Sequence, residues 1–279
     1  MRKPYQQNNR LSNFLAYIAL VWASLVALVP LIWLVLSSLK KDPIARPGFM
    51  LPESICLDGY IATFRDLHVF RYFGNSLLVA FLSVVISILM ISMSAYVIAR
   101  MDFKGKNFIS LLLYATMFIP PTALTYPVYS LINALNMYDT RTALVFIYSC
   151  SGLALSFFII KNYYQNIPKE LEEAATIDGC GYAQTWWKVI FPIARPGIMT
   201  AAVLAFLNNW NEYYWASLVV ISREKLTVPA LLSTFTTSFA TNYNGLFSAM
   251  VVIILPPIIL YVACNKYFIE ALSGGAVKG

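Results

Sequence analysis

The sequence predicts an all-α membrane protein of six transmembrane helices with a helix-turn-helix on its cytoplasmic face. Three observations carry this reading. Of 279 residues, 59% are hydrophobic and 12% charged, about half the roughly 25% charged share of a soluble domain. The mean hydropathy is +0.66, and the charges cluster between long apolar stretches instead of alternating with apolar residues. Finally, the polar loop between the fourth and fifth apolar stretches has a helical periodicity of its own.

The apolar windows are Phe14–Leu36, Ser76–Ile98, Phe108–Leu131, Thr142–Ile160, Gly197–Ile221 and Leu246–Tyr267, each near the ~20 residues that cross a hydrocarbon core of roughly 30 Å. The first follows a basic stretch, Met1-Arg2-Lys3 and Arg10, but its apolar run is far longer than that of a signal peptide and reads as a span. The third window carries Pro120-Pro121 and Pro127, and the sixth carries Pro256-Pro257. Proline frees helix carbonyls that need another helix or water inside the membrane, so kinks are expected in both. The whole chain, 1–279, reads as one transmembrane domain.

An even number of spans places both ends on one side, and Lys and Arg choose the side. With the ends inside, 12 of the 20 basic residues are cytoplasmic, and most of the others lie in the long first loop, 38–75. Long loops weigh less in this bias, so both termini are expected in the cytoplasm.

Several function classes are excluded. The net charge of +7 forms no basic stripe or run, against a nucleic-acid module. Cys56, Cys150, Cys180 and Cys264 show no metal-ligand spacing and His68 is the single histidine, so no metal site and no cofactor are expected. There is no GxxxxGK[ST]; Gly105-Lys106 and Ser273-Gly274-Gly275 are the nearest fragments, so the chain does not bind ATP alone. A nucleophile, base and orienter set is also missing, and no catalytic residue is assigned.

The loop 163–196 is the most informative stretch. Pro168 suits the first turn of a helix, and Glu170, Glu172 and Glu173 complement the positive end of its dipole. Leu171, Ala174, Ala175 and Asp178 follow at i, i+3, i+4 and i+7, a face of small and apolar side chains open to close approach. Gly179 supplies a left-handed stop. A second amphipathic segment runs from Tyr182 to Phe191 and ends at Pro192.

Within this loop, Glu173-Ala174-Ala175-Thr176-Ile177-Asp178-Gly179, nine further residues and Val189-Ile190-Phe191-Pro192 resemble the EAA-x3-G-x9-I-x-L-P signature of ATP-binding-cassette importer permeases. Val189 and Phe191 stand where that pattern has Ile and Leu. The likeness extends over most of the chain, toward the smaller permease subunit of the maltose type. Matching stretches are Tyr60 to Asn75-Ser76, Ala99 to Lys106, Ile119-Pro120 with Pro127-Val128-Tyr129, Trp210-Asn211-Glu212 and the tail Gly274 to Gly279. The short N-terminal stretch, without the extra spans of some larger partners, points the same way.

The resemblance implies a type I importer permease in a bacterial or archaeal cytoplasmic membrane, non-catalytic, that carries a sugar or oligosaccharide. Its implied partners are a second, larger permease, two cytoplasmic ATPase subunits and an external solute-binding protein. ATPase coupling would fall to Glu173, Ala174, Ala175, Asp178 and Gly179.

Glu212 is the acidic residue placed within a span, where a charge costs at least roughly 2.5 kcal/mol on insertion scales. On a continuous helix Asn208, Asn211, Glu212 and Trp215 share one face at i, i+3, i+4 and i+7. Amide, carboxylate and indole groups together suit a sugar, whose hydroxyls pair with the polar groups while its apolar face stacks on a ring. These four are the expected substrate pathway; polar bonding between two helices would explain them equally. Asp139-Thr140-Arg141 and Ser222-Arg223-Glu224-Lys225 read as solvated outer turns, and His68 has no role. The competing reading is a self-contained secondary transporter or channel that uses Glu212 for ion coupling.

Overall fold

The computed structural model describes residues 10–45, 48–65, 69–235 and 242–276, and the regular structure among them is helical. Arg2, Lys3, Arg46, His68 and Lys278, which entered the topology reading or were considered for a role, lie outside the described residues. So do residues 277–279 of the matching tail.

The described chain falls into two units. In the first are α1 (Arg10–Ser38), α2 (Asp58–Arg65) and the segment up to residue 253 that follows residue 232. From Asn13 to Ile32 every residue of α1 is exposed, although nearly all are apolar. Water would not tolerate such a surface; lipid or another apolar helix would. The last carbonyls of α1 have no partner within the helix, and Asn244 supplies one: its amide donates to the carbonyls of Ser38 (3.2 Å) and Lys40 (2.7 Å). Gly59 permits α2 to approach this point, since a Cβ there would meet Asn244 Oδ1 and Ser248 Oγ at 2.5 Å.

The second unit holds residues 69–231 and the remainder of the chain after 253. Its central element is α3 (Val69–Arg100), followed by α4 (Lys106–Ala115), α5 (Thr125–Ala134), α6 (Arg141–Ser149) and α7 (Leu153–Gln165). Next come the loop helices α8 (Glu170–Ile177), α9 (Tyr182–Thr185) and α10 (Phe191–Ile193). Then follow α11 (Arg195–Trp210), α12 (Tyr214–Val219) and α13 (Val228–Leu231). α14 (Tyr243–Ala276) gives its first part to the first unit and its last to the second. The core of the second unit joins α3, α7 and α11 through Ile88, Ala95, Phe157, Ile160 and Ala201, with Ala194 between α10 and α11. Small residues bring the backbones close, as expected where lipid removes the hydrophobic incentive to pack. At Gly197 a Cβ would stand 2.3 Å from the Tyr163 ring.

By length and composition, α1, α3 and α14 each suffice to cross a membrane, and three bent pairs raise the number of spans to as many as six. The third window is broken at Ile119-Pro120, with a 100° bend between Lys106–Phe118 and Pro121–Ala134. The fourth bends by 48° between Arg141–Ser149 and Leu153–Gln165. In the sixth, by contrast, helix α14 continues through Pro256 and Pro257.

The fifth window differs most from expectation. It is not one helix over 197–221: α11 stops at Trp210 and α12 starts at Tyr214. The reason is local. Glu212 turns its carboxylate onto the first free backbone N–H groups of α12, accepting from Trp215 (2.8 Å) and Ala216 (3.2 Å), so a new helix starts where the old one would have continued. The 16 residues of α11 rise about 24 Å, short of the roughly 30 Å core. The break therefore lies well toward the far end of the span from Arg195.

Candidate functional site

Two regions of the second unit hold the candidate residues. In the first, α8 begins with Glu170, Glu172 and Glu173 in its opening turn and closes on Gly179 at φ +79°. The Cys180 N–H donates to the Ala175 carbonyl (2.9 Å) and the Gly179 N–H to that of Thr176 (3.0 Å). This double bond pattern satisfies two carbonyls and needs a left-handed residue at Gly179. The chain then runs through α9 into one wide π turn, Trp186–Ile190, and α10.

One face of this hairpin is buried and the other is bare. Ala175, Thr185, Trp186 and Ile190 point inward. Glu173, Ala174, Asp178 and Gly179 are exposed, beside Ile177 (86% exposed), Tyr182 (75%) and Trp187 (53%). Thus four of the five expected coupling residues lie on the bare face, while Ala175 packs inward. Ile177, Tyr182 and Trp187 thus form an exposed apolar rim around a polar loop.

The hairpin is fastened from below by residues that sequence reasoning missed. Arg100, at the end of α3, pairs its Nε with Glu172 Oε1 at 3.0 Å, and the two side chains are 5% and 20% exposed. The same guanidinium donates to the Ile167 carbonyl. Burial pushes the Glu172 carboxyl above the usual carboxylate range, while Arg100 and then Lys169 pull it back. Farther in, Trp186 Nε1–H donates to the Tyr164 hydroxyl (3.2 Å), which also pairs with Ser92 of α3. An arginine at a span end following an apolar run was the one available signal; the tyrosine hub had none.

The second region is the break in the fifth span. Tyr148 of α6, buried, donates its hydroxyl hydrogen to Glu212 Oε2 at 2.6 Å. With the two backbone bonds, the carboxylate has three donors around it. Asn208 and Asn211 are exposed, Glu212 is half-buried and Trp215 is buried. The expected single helical face therefore does not exist, because Asn208 lies in α11, Asn211 and Glu212 in the break after it, and Trp215 in α12. Thr125 Oγ1, at the start of α5, bonds the Tyr214 hydroxyl at 2.8 Å, which ties α5 to α12.

Beyond the break the two turns expected to be solvated are joined. Asp139, at φ +53°, accepts from the N–H groups of Ile221 and Ser222 (both 2.9 Å), from the Ser222 hydroxyl and from Lys225 Nζ (2.9 Å). The Ser222 hydroxyl and N–H, then Lys225, hold the Asp139 carboxyl well below the usual carboxylate range.

Comparison with known proteins adds independent findings. A family model described as "Binding-protein-dependent transport system inner membrane component" matches residues 87–273. The arabinooligosaccharides transport system permease protein AraQ of Halalkalibacterium halodurans is 34% identical over 272 residues, which cover 96% of this chain and 97% of that protein. The trehalose transport system permease protein SugB of Mycobacterium tuberculosis is 31% identical, over 91% and 93% of the two chains. The trehalose/maltose permease protein MalG of Thermococcus litoralis is 28% identical, over 96% and 98%. Among solved structures, a chain of a bacterial ABC transporter involved in alginate import superimposes with a TM-score of 0.80 at 24% identity, covering 96% of this chain and all of that one. That last likeness concerns the fold.

Proposed function

Because the chain belongs to the family of binding-protein-dependent transport system inner membrane components, we propose that it forms part of the translocation pathway for a sugar or oligosaccharide. It is a non-catalytic membrane subunit of an ATP-binding-cassette importer, with ATP hydrolysis carried out by partner subunits. The carbohydrate class rests on relatives named for arabinooligosaccharides, trehalose and maltose. The observation that carries the coupling reading is the bare face of the α8–α9 hairpin, where Ile177, Tyr182 and Trp187 surround Glu173, Ala174, Asp178 and Gly179.

In this reading the hairpin fits a cleft of a cytoplasmic ATPase, and Ala175 anchors it from inside. Both termini are cytoplasmic, the partner permease is a second, larger chain, and residues 1–279 act as one permease domain. Asn208, Asn211 and Glu212 border the pathway, and Trp215 backs them. Their support is the cost of amides and a carboxylate facing lipid. The secondary-transporter alternative loses its main support, since Glu212 has an occupation of its own: it caps α12 and accepts from Tyr148.

The test is reconstitution. Proteoliposomes with the co-expressed permease and ATPases should import sugar only with internal ATP and external binding protein. Gradient-driven import by this chain alone would overturn the proposal.

A further inference from the structure

Ser92, Tyr96 and Arg100 stand at i, i+4 and i+8 on α3, a single stripe. Each touches the seating of the hairpin. Ser92 pairs with the Tyr164 hydroxyl that receives Trp186; Tyr96 meets the Tyr164 ring edge-on, with centroids 6.0 Å apart; Arg100 holds Glu172 and the Ile167 carbonyl. The first half of the hairpin is thereby paired with α3 directly, and the second half reaches it through Tyr164 of α7.

The other end of that helix is fastened just as firmly. Asn75 Nδ2 donates to the carbonyls of Glu224 and Leu226, each at 2.9 Å, and Arg141 Nη1 donates to Asn75 Oδ1 at 2.9 Å. The Ser76 hydroxyl oxygen accepts the Val228 N–H at 2.8 Å. Asn75 and Arg100 are separated by about 38 Å of helix. Between them Val79, Ala80, Ser83, Ile88 and Ile91 are buried, so the shaft is packed along its length.

We propose that α3 is a transmission rod, with Arg100 the positioning residue that fixes the coupling hairpin to it and Asn75 the residue that fixes the loop 222–228 at its far end. A hairpin carried by a moving ATPase then drags α3, and α3 moves the far loop. The inference rests on the hairpin being the ATPase-docking surface. Two contact sets of different chemistry, a half-buried ion pair and a hydroxyl-indole hub that passes through Tyr164, tie the hairpin to α3, so a shift of the hairpin loads the helix. Coupling between distant sites requires such an element, biased from both ends.

The assembled complex in membrane vesicles tests it. A Glu224→Cys chain whose native cysteines have been replaced reports on the far loop, since Glu224 touches Asn75 through its backbone carbonyl and its side chain is exposed. The rate of maleimide modification is compared with and without Mg-ATP plus vanadate. The expected response is a change of about fivefold or more, the lower end of ordinary coupling strengths. Arg100→Met and Glu172→Gln should abolish it while vanadate still traps nucleotide on the ATPases. If Arg100→Met fails to assemble, the shape-conserving Glu172→Gln decides. A normal response in these chains, or none in the parent, overturns the rod. Ile177→Asp, on the bare face, separates the two ideas: trapping and response like the parent's would remove the docking reading itself. A response lost there but intact in Arg100→Met would sink the rod alone.

Discussion

Tyr148 and Glu212, on different spans, share one hydrogen bond of 2.6 Å, and Glu212 also accepts both N–H groups that start α12. The carboxylate is thus the nail on which the broken fifth span hangs. Glu212→Gln keeps the shape but leaves one oxygen for donors that now use two, so import should fall partially. Glu212→Ala frees two N–H groups and a buried hydroxyl, each costing about 1–3 kcal/mol, and should lose most transport. Tyr148→Phe should lie between them. ATP-dependent uptake of labelled sugar, with co-purification of the ATPases as the assembly control, measures all three. Normal uptake by Glu212→Ala would show the break to be inessential.

Gly179 holds φ +79°, and a Cβ there would meet nothing within 4 Å. Any penalty for substitution is therefore backbone strain, about 1–2 kcal/mol for an ordinary side chain. Gly179→Leu should displace α9 and lower import per ATP hydrolysed, whereas Gly179→Asn, which tolerates this conformation, should stay close to the parent. Equal behaviour of the two variants would mean that the left-handed φ does not govern the position.

At Gly197 the reverse holds, because space is absent: the Tyr163 ring lies 2.3 Å from a Cβ position. Gly197→Ala should separate α11 from α7 and cost about 1–3 kcal/mol. Thermal melting of the detergent-solubilised complex should fall, and Gly197→Ala combined with Tyr163→Ala should recover part of the loss. Parental melting of the single variant would contradict the close approach.

The spans and the hairpin were legible because they rest on local rules. Apolar length, the acidic first turn of α8 and the glycine after Asp178 are written in consecutive residues. The break at Glu212 was hidden: nothing in Trp210-Asn211-Glu212 says that the carboxylate will turn back onto Trp215 and Ala216, since a glutamate on a continuous helix has the same sequence. Its partner Tyr148 lies 64 residues away. The Arg100–Glu172 pair was likewise beyond periodicity, being set by where the fold carries α8 relative to the end of α3. Asp139 and Lys225 looked like solvated charges because each, by itself, is a loop residue; only the fold brings their turns together.

The membrane orientation follows from labelling. Ile177 is 86% exposed, which makes Ile177→Cys, with the native cysteines replaced, a better reporter than a half-buried glutamate. With the chain expressed without its ATPase subunits, so that this face is uncovered, an impermeant maleimide should modify it in inverted vesicles and leave it untouched in intact cells. Modification in intact cells would reverse the topology and with it the docking reading.

The Asp139–Lys225 clasp gives a pH signature. Its carboxyl is held below the usual carboxylate range by Ser222 and Lys225, so the fold favours the ionised form. That contribution is fully present above the unfolded-chain value, about 3.9. It is lost as pH falls through that value toward the lower folded one. Between pH 5 and 8 this group adds no slope to stability. Below about pH 4 the unfolded chain takes up the proton while the folded carboxylate, still bonded to Lys225, does not, so the clasp's contribution to stability declines. Asp139→Asn keeps an oxygen for the Ile221 and Ser222 N–H groups but gives up the charge, at a cost of about 2 kcal/mol. Melting curves of the purified complex at pH 7 and pH 3.5, parent against variant, check both parts: the variant should melt lower at pH 7, and the gap should narrow in acid. A gap that stays constant would mean that Asp139 acts through shape, and its charge would drop out of the account of how the two turns are held.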